Sequence, residues 1–283
     1  MRSVARSLAW ITIWLALVAT LAGAQTFHLV VLGDRTGEAQ PGVYEEVWKE
    51  AAAEAPAFVV TAGDTVEGLD DATAESEWRA IEQMLKPYRR IPFYPAPGNH
   101  DIWSPASERL FRQHTGHEPH YGFDYQQAHF TILDNSRSDE LSPDEMAFLE
   151  KDLATHAAQP VKFIVSHRPS WLIDAVARNP NFALHQLARK YGVQTVIAGH
   201  VHEMLQVDLD GIRYISMPSA GGHLRGTHNY EDGWFFGFAL VEVSGREVKV
   251  QIKELKPPLG RGRLTSLDDW GAGGLTKRPH LLE

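Results

Sequence analysis

Polar side chains able to bind a metal follow five apolar runs of this sequence. Asp34 follows HLVVLG, Asp64 follows FVVTAG, and Asn99-His100-Asp101 follow FYPAPG. His167 follows FIVS, and His200-Val201-His202 follow TVIAG. Four of these five segments place a glycine before the polar residue, which permits a tight turn and close backbone approach. Because ligands bind where the carboxyl ends of strands converge, the pattern predicts one shared site.

The residue types of this set indicate a centre of two divalent cations. Asp, Asn and His supply oxygen and imidazole ligands suited to Zn, Mn or Fe, and the histidines make Ca or Mg less suitable. Two such cations about 3.5–4 Å apart generate hydroxide from water and bind phosphate oxygens. Each motif alone is equally compatible with a helix N-cap or a loop residue. The five in order favour the metal centre.

The elements that carry these residues predict an α/β fold. Apolar runs at 28–32, 57–62, 91–96, 161–166 and 193–198 are predicted strands, and 43–55, 75–88, 142–156 and 183–191 have helical patterns. YGFDY and HFTILD are two further short strands, and strands without intervening helices follow Met204. We expect two sheets packed together, with the helices outside.

Capping residues mark the ends of two of these helices. Ser142 is a predicted N-cap with Pro143 at the first helical position, and Glu145 is placed to close a capping box. Gly192 is the predicted C-cap of the helix over 183–191.

The first 24 residues have the pattern of a signal peptide. Arg2 and Arg6 precede an uncharged apolar run over 8–21, and Ala22-Gly23-Ala24 offers a cleavage site. An uncleaved membrane anchor is the alternative, but it typically needs about 20 apolar residues. We therefore expect an exported protein, periplasmic or secreted, with a domain over 25–255. The segment 256–283 is rich in Pro, Gly and Arg, and is predicted to be a surface tail or partly disordered.

Composition excludes several kinds of function. The 283 residues include no cysteine, so disulfides and thiol redox chemistry are absent. Loss of Arg2 and Arg6 changes the formal net charge from −9 to −11, which disfavours nucleic acid as the main partner. No second apolar stretch is long enough to span a membrane.

The motifs resemble those of calcineurin-like metallophosphoesterases. GD (33–34), GDTVE (63–67), GNHD (98–101), SH (166–167) and GHVH (199–202) occur in the family's order, and the likeness extends over nearly all of the mature chain. The resemblance implies a four-layer α/β/β/α sandwich of two mixed β-sheets flanked by helices, with two divalent metal ions.

The resemblance also implies roles for individual residues. Asp64 bridges both metals. Asp34 and His202 complete what we term the first site, and Asn99, His167 and His200 complete the second site. His100 is the general acid at the leaving-group oxygen, oriented by Asp101. A hydrogen bond from His100 to a neighbouring carboxylate is the alternative to a catalytic role.

The first motif departs from the family pattern. Many members carry Asp-x-His, whereas this chain has Asp34-Arg35-Thr36. Purple acid phosphatases in the same superfamily use a tyrosine at the end of GDxxY, and Glu67 occupies that position here. We expect a weakly held first metal, with Glu67 or Thr36 as possible further ligands.

Three residues are predicted to contact substrate. Arg35 follows Asp34 and Arg168 follows His167, so each is placed to bind a phosphate; a surface salt bridge is an equal alternative for each. His223 lies in the glycine-rich loop SAGGHLRGTHNYEDGW. The tract of His114, His117 and His120 is interpreted as loop residues rather than a Zn site.

These observations predict an exported, metal-dependent phosphoesterase acting on a small phosphate monoester or diester. The alternative is a catalytically impaired protein that binds metal or a phospho-ligand on the same fold. His100 disfavours this alternative, because a scaffold needs no acid. Neither the oligomeric state nor the identity of the substrate follows from the sequence.

Overall fold

The computed structural model describes residues 26–272 and 274–275 of the chain. The predicted signal peptide lies outside these residues. Six α-helices are present in the described part: α1 (Val43–Ala53), α2 (Ala74–Leu85), α3 (Pro105–Thr115), α4 (Pro143–Thr155), α5 (Leu172–Val176) and α6 (Ala183–Tyr191). None of the helices within these bounds has the length and apolar character needed to cross a membrane.

Twelve strands form two sheets of six strands each. The first six are β1 (Thr26–Leu32), β2 (Val59–Thr61), β3 (Phe93–Pro95), β4 (Tyr121–Tyr125), β5 (Ala128–Ile132) and β6 (Val161–Val165). The others are β7 (Thr195–Ala198), β8 (Leu205–Leu209), β9 (Ile212–Ser216), β10 (Gly237–Ser244), β11 (Glu247–Glu254) and β12 (Leu264–Ser266).

Both sheets combine a parallel part with antiparallel strands. Sheet A has the order β12-β11-β10-β1-β2-β3, in which β1, β2 and β3 are parallel. Sheet B has the order β4-β5-β6-β7-β9-β8, in which β5, β6, β7 and β9 are parallel. The parallel strands are the ones that precede the predicted site residues, so their carboxyl ends deliver these residues to one edge.

Strand β1 shows how the sequence specifies the layers. Successive side chains of a strand point to opposite faces. Phe27, Leu29 and Val31 join the core between the sheets, whereas Val30 and Leu32 pack in the core beneath α1 and α2. A third core lies between sheet B and α4, α5 and α6. The result is the predicted four-layer α/β/β/α arrangement.

The helix ends confirm most of the predicted capping. The Ser142 hydroxyl accepts a hydrogen bond from the backbone N–H of Glu145, with Pro143 at the start of α4. Gly192 ends α6 in the left-handed conformation at φ 69°. The prediction that Glu145 closes a capping box is wrong: its carboxylate accepts from His120 Nδ1 at 2.6 Å and from the backbone N–H of Asp134 at 3.0 Å. These tertiary partners replace the local one.

Part of the segment beyond residue 255 belongs to the sheet and the core. β12 pairs antiparallel with β11 at the edge of sheet A. Leu267 and Trp270 follow it and are buried in the core between the sheets.

Candidate metal centre

The structure brings the polar residues that follow the parallel strands to one place. Asp34 follows β1 and accepts the backbone N–H of His200, which follows β7, at 2.9 and 3.0 Å. His167 follows β6, and its Nδ1 donates to the carbonyl of Ala62 after β2 at 2.8 Å. These bonds join the ends of the two sheets, because each has one partner from sheet A and one from sheet B.

The second site is assembled around one imidazole nitrogen. His167 Nε2 lies 3.0 Å from Asn99 Oδ1, 3.1 Å from His200 Nδ1 and 3.3 Å from Asp64 Oδ2. Ligand atoms of Asp64, His167 and His200 all lie within 4.8 Å of one another. His167 and Asp64 are fully buried. The four residues predicted for this site are therefore adjacent.

The first site has the same construction with fewer residues. His202 Nδ1 donates to the carbonyl of His223 at 2.8 Å, and His202 Nε2 lies 3.2 Å from Asp34 Oδ2. Both side chains are fully buried.

The donor set fits divalent cations. In His167 and in His202 the Nδ1 hydrogen is committed to a carbonyl, so the neutral ring has a lone pair at Nε2. In each case that lone pair faces a carboxylate oxygen. Because both atoms are acceptors, their approach is favourable only when a cation or a proton lies between them. Within the described residues, Asp64 Oδ2 and His202 Nε2 are buried without a hydrogen-bond partner. A carbonyl-oriented imidazole is the usual arrangement of a metal-binding histidine.

Three of the site residues have a left-handed backbone conformation. Asp64, His200 and His202 have φ values of 58°, 68° and 62°. Left-handed conformations of such residues are uncommon and cluster at functional sites. The preceding glycine is required at Gly199, where an added Cβ would lie 2.3 Å from Asp34 Oδ1.

The electrostatics of the metal-free site follow from burial and the two aspartates. Burial lowers the pKa of His167, but the carboxylates of Asp64 and Asp34 outweigh burial and raise that pKa to about 9. Burial raises the pKa of Asp64, but His167 outweighs it and lowers that pKa to about 2. Burial, followed by the charges of His167 and Arg168, lowers the pKa of His200 to about 4. His200 is thus neutral at pH 7 and available as a ligand.

His100 and Asp101 have separate hydrogen-bond partners. The backbone N–H of His100 donates to Asp64 Oδ1 at 2.9 Å, and its ring Nδ1 faces the carbonyl of Glu67. The prediction that Asp101 orients His100 is wrong. Asp101 instead accepts backbone N–H groups of Gly98, Thr65 and Val66 at 2.8, 2.8 and 3.2 Å. Its carboxylate therefore ties together the two loops that carry Asp64 and His100, while Glu67 holds the imidazole.

Thr36 and Glu67 form a pair at the first motif. Thr36 is fully buried, and its hydroxyl donates to Glu67 Oε2. Glu67 Oε1 accepts the backbone N–H of Glu38 at 3.1 Å. The position of the family histidine is therefore filled by a hydroxyl that already has a carboxylate partner, and any ligand role of Thr36 or Glu67 stays a prediction.

The predicted substrate-contacting residues lie around this centre. Arg35 donates to the Thr65 carbonyl at 3.3 Å. Arg168 Nη1 is 2.6 Å from Asp139 Oδ1, the salt bridge foreseen as an alternative, and 3.4 Å from His200 Nε2. The ring of His223 bonds the Gly37 carbonyl at 2.6 Å. Contact of Arg35, Arg168 and His223 with substrate stays a prediction.

Asn135 is a site residue that the sequence analysis missed. Its Oδ1 accepts the backbone N–H groups of His167 and Arg168, each at 3.0 Å, and its Nδ2 donates to the Arg168 carbonyl at 2.7 Å. The buried amide fixes the turn that carries both residues. The signal was present, because Asn135 follows β5 as the other site residues follow their strands.

His114, His117 and His120 have partners outside the metal centre. His114 lies in the last turn of α3 rather than in a loop, and contacts Glu82 and Glu75. His117 and His120 follow α3 and bond the Phe93 carbonyl and Glu145, respectively.

A second cluster of Asp124, His129 and His156 lies elsewhere. Both ring nitrogens of His129 have carboxylate partners there, Asp124 and Asp152, each at 2.7 Å. Each ring nitrogen of His129 thus has its own side-chain partner, and these contacts account for the arrangement without a metal.

The sequence profile of the calcineurin-like phosphoesterase family matches residues 27–204. The chain belongs to this family. This assignment confirms the resemblance noted from the motifs.

Relatives of the chain include phosphodiesterases and phosphatases. A probable cyclic nucleotide phosphodiesterase of Vesicomyosocius okutanii is 29% identical over 155 residues, which cover 51% of this chain and 63% of the relative. Human tartrate-resistant acid phosphatase type 5 is 23% identical over 245 residues, which cover 68% of this chain and 74% of the phosphatase. The chain thus spans less than two thirds of the first relative's length.

Solved structures confirm the fold. Purple acid phosphatase PPD1 from yellow lupin (Lupinus luteus) seeds superposes with a TM-score of 0.65 at 17% identity, covering 86% of this chain and 53% of the lupin chain. At this identity the likeness concerns the arrangement of sheets and helices alone.

Proposed function

We propose that this protein hydrolyses small phosphate esters with two bound divalent cations. The observation that carries the proposal is the orientation of His167 and His202. Each directs Nε2 at a buried carboxylate oxygen, and carbonyls hold both rings in that orientation. The phosphodiesterases and phosphatases among the relatives support the same reaction class.

Asp64, Asn99, His167 and His200 would hold one cation, and Asp34, Asp64 and His202 the other. When bound, the pair supplies an activated water and neutralises phosphate oxygens. The second site offers four protein ligands, whereas the first offers three, because Thr36 stands where the family has a histidine ligand. We therefore propose that the first cation is bound more weakly than the second. The ligand types are compatible with Zn, Mn and Fe alike.

His100 is the proposed general acid. Because its Nδ1 hydrogen is committed to the Glu67 carbonyl, the transferable proton of the imidazolium is the one on Nε2. Asp101 acts as a positioning residue, since it fixes the loops of Asp64 and His100 without touching the ring. A departing alkoxide needs this proton, whereas a phenolate of low pKa needs it less.

Arg168 is the residue proposed to bind a substrate phosphate oxygen. Its Nη1 lies 3.4 Å from His200 Nε2, next to the second site. Its Nε is buried without a hydrogen-bond partner within the described residues. The Arg168→Ala variant should have a raised KM or a lowered kcat, and an unchanged kcat/KM would remove Arg168 from the mechanism.

Export to the periplasm or the exterior is a separate proposal, which rests on the sequence pattern of residues 1–24 alone. Cell fractionation of the expressed full-length chain, with the mature N-terminus determined by mass spectrometry, tests it. A mature chain beginning at Gln25 is expected, and an unprocessed chain in the cytoplasm would refute it.

Hydrolysis by the metal-loaded protein tests the enzymatic proposal. We expect release of 4-nitrophenol from 4-nitrophenyl phosphate or from a 4-nitrophenyl phosphodiester in the presence of Mn²⁺. The Asp64→Asn variant should lose at least about a hundredfold of this activity, because it removes a ligand charge from both sites. Asp144→Asn, the same change at an exposed residue of α4, is the matched control. Full metal binding without hydrolysis of any ester would favour the alternative of a phospho-ligand-binding protein.

A further inference from the structure

An open pocket of about 240 Å³ lies beside the second site. His200, a predicted ligand of the second site, and Arg168 both line the pocket. Pro169, Leu172 and Ile173 form an apolar wall, which belongs to the start of α5 and the turn before it. The pocket is therefore continuous with the proposed site of hydrolysis.

Helix α5 exposes two large apolar side chains. Ile173 is 83% exposed and Val176, one helical turn further along α5, is 47% exposed. Among the described residues, these are two of only four large apolar side chains that are exposed. Single exposed apolar residues need no explanation, but two on one short helix beside a polar site suggest a surface that a ligand covers.

The charged groups of the pocket disfavour a second anionic group on the ligand. Arg168 is paired with Asp139 at 2.6 Å and is assigned above to the reacting phosphate, so it leaves no positive charge for a second anionic group. Glu140 also lines the pocket, which leaves one net negative charge there. Like charges at close range repel, so a second phosphate or a carboxylate is disfavoured.

The pocket lies on the His200 side of the centre and is not lined by His100. If His100 protonates the leaving group, the leaving group faces His100 and not this pocket. A group bound in the pocket is then the ester substituent that stays on phosphorus. Only a diester has such a substituent.

From these observations we infer that the substrate is a phosphodiester whose retained ester group is uncharged and apolar, and that α5 binds this group through Ile173. The inference rests on the proposed hydrolytic function and adds the substrate class. The volume corresponds to about eight water molecules of about 30 Å³ each. An alkyl or aryl group of roughly eight non-hydrogen atoms is therefore accommodated.

The test compares diesters with one leaving group and different retained groups. Methyl, hexyl and 5-carboxypentyl esters of 4-nitrophenyl phosphate are hydrolysed by the Mn²⁺-loaded protein, and kcat/KM is determined for each. We expect the hexyl ester to exceed the methyl ester by about tenfold or more, since even partial burial of five methylene groups is favourable. The 5-carboxypentyl ester should lose most of this advantage.

Two matched variants locate the effect. Ile173→Ser should reduce the ratio of hexyl to methyl kcat/KM to about threefold or less. Leu264→Ser replaces another exposed apolar residue, 52% exposed on β12, and should leave the ratio unchanged. Equal kcat/KM for hexyl and methyl esters in the wild-type protein would overturn the inference. So would a ratio that Ile173→Ser does not change, or a carboxypentyl ester as good as the hexyl ester.

Binding separates failure of the inference from failure of the proposed function. If no ester is hydrolysed, the hydrolytic proposal fails, and the same esters are titrated into the Mn²⁺-loaded protein by calorimetry. Tighter binding of the hexyl ester that is lost in Ile173→Ser would still support the pocket. Equal affinities for the hexyl and methyl esters would refute the inference that α5 binds the retained ester group.

Discussion

The raised pKa of His167 makes metal binding depend on pH in a way that can be calculated. The carboxylates of Asp64 and Asp34 outweigh burial and raise this pKa to about 9 in the metal-free protein. A pH of 7 lies about two units below this pKa, so His167 is neutral in roughly 1% of the molecules. A cation must displace this proton before Nε2 can bind it.

The affinity of the second site should therefore rise about tenfold per pH unit between pH 7 and 9, and then level off. The total change in affinity is about a hundredfold, or about 3 kcal/mol. His200, with a pKa of about 4, is already neutral and contributes no proton. An imidazole with an ordinary pKa near 6.5 would give an affinity that is almost constant above about pH 7.5.

The same shift affects the stability of the metal-free protein. Because the folded-state pKa is raised, the stabilisation is fully present below the unfolded value near 6.5 and is lost as the pH rises through about 9. A shift of this size corresponds to about 3 kcal/mol. The lowered pKa of Asp64 arises from the same ion pair, so its free energy is not added to that of the His167 shift.

Calorimetric titration with Mn²⁺ in buffers of different ionisation enthalpy measures both affinity and proton release. The His202→Asn variant restricts the experiment to the second site. We expect release of close to one proton per cation at pH 7, falling towards zero above pH 9. An affinity that is flat above pH 7.5, or a release far below one proton, would refute the proposed charge state of His167.

Three further predictions concern residues that position the centre. Asp101→Ala leaves the buried N–H groups of Gly98, Thr65 and Val66 without their acceptor; at about 1–3 kcal/mol per unsatisfied group, urea unfolding should show a loss of several kcal/mol, and a loss below about 1 kcal/mol would contradict this role. His100→Asn should lower kcat about 10²–10⁴-fold for an alkyl leaving group but far less for 4-nitrophenol, with Mn²⁺ affinity retained; equal losses for both leaving groups would rule out the acid role. Gly199→Ala brings a Cβ to 2.3 Å from Asp34 Oδ1, so the first cation should be lost while the second is retained, and elemental analysis finding both would show that the loop adapts.

The order of the motifs sufficed to predict which residues converge. Parallel strands deliver the residues after their carboxyl ends to one edge, so Asp34, Asp64 and His167 could be grouped before any strand order was known. The continuous apolar run over residues 29–32 of β1 likewise predicts a strand buried on both faces. These features depend on regular structure, which repeats in the sequence.

Side-chain directions within loops could not be predicted in the same way. Asp101 is adjacent to His100 in sequence, yet its carboxylate turns towards the backbone of Gly98 and Thr65. Adjacent residues in a turn can face different partners, and only the packed loop decides between them. Glu145 shows the same limit, because its tertiary partners were not apparent from the local capping pattern.

One missed helix had a readable signal. Ser104 caps α3 and Pro105 begins it, as Ser142 and Pro143 do for α4. In α3 the capping box is closed by Ser107, which is less conspicuous in sequence than Glu or Gln. The five-residue helix α5 is shorter than two helical turns, so its apolar face has too few residues to show a period.

The metal content of an active protein tests the central claim most directly. The chain over residues 25–283 is dialysed against metal-free buffer and titrated with Mn²⁺, while bound metal per chain and hydrolysis of a 4-nitrophenyl diester are followed together. We predict two cations per chain, a tighter one followed by a weaker one, with hydrolysis rising as the weaker one binds. Hydrolysis that reaches its maximum with no metal bound, or two bound cations without hydrolysis of any phosphate ester, would contradict the account.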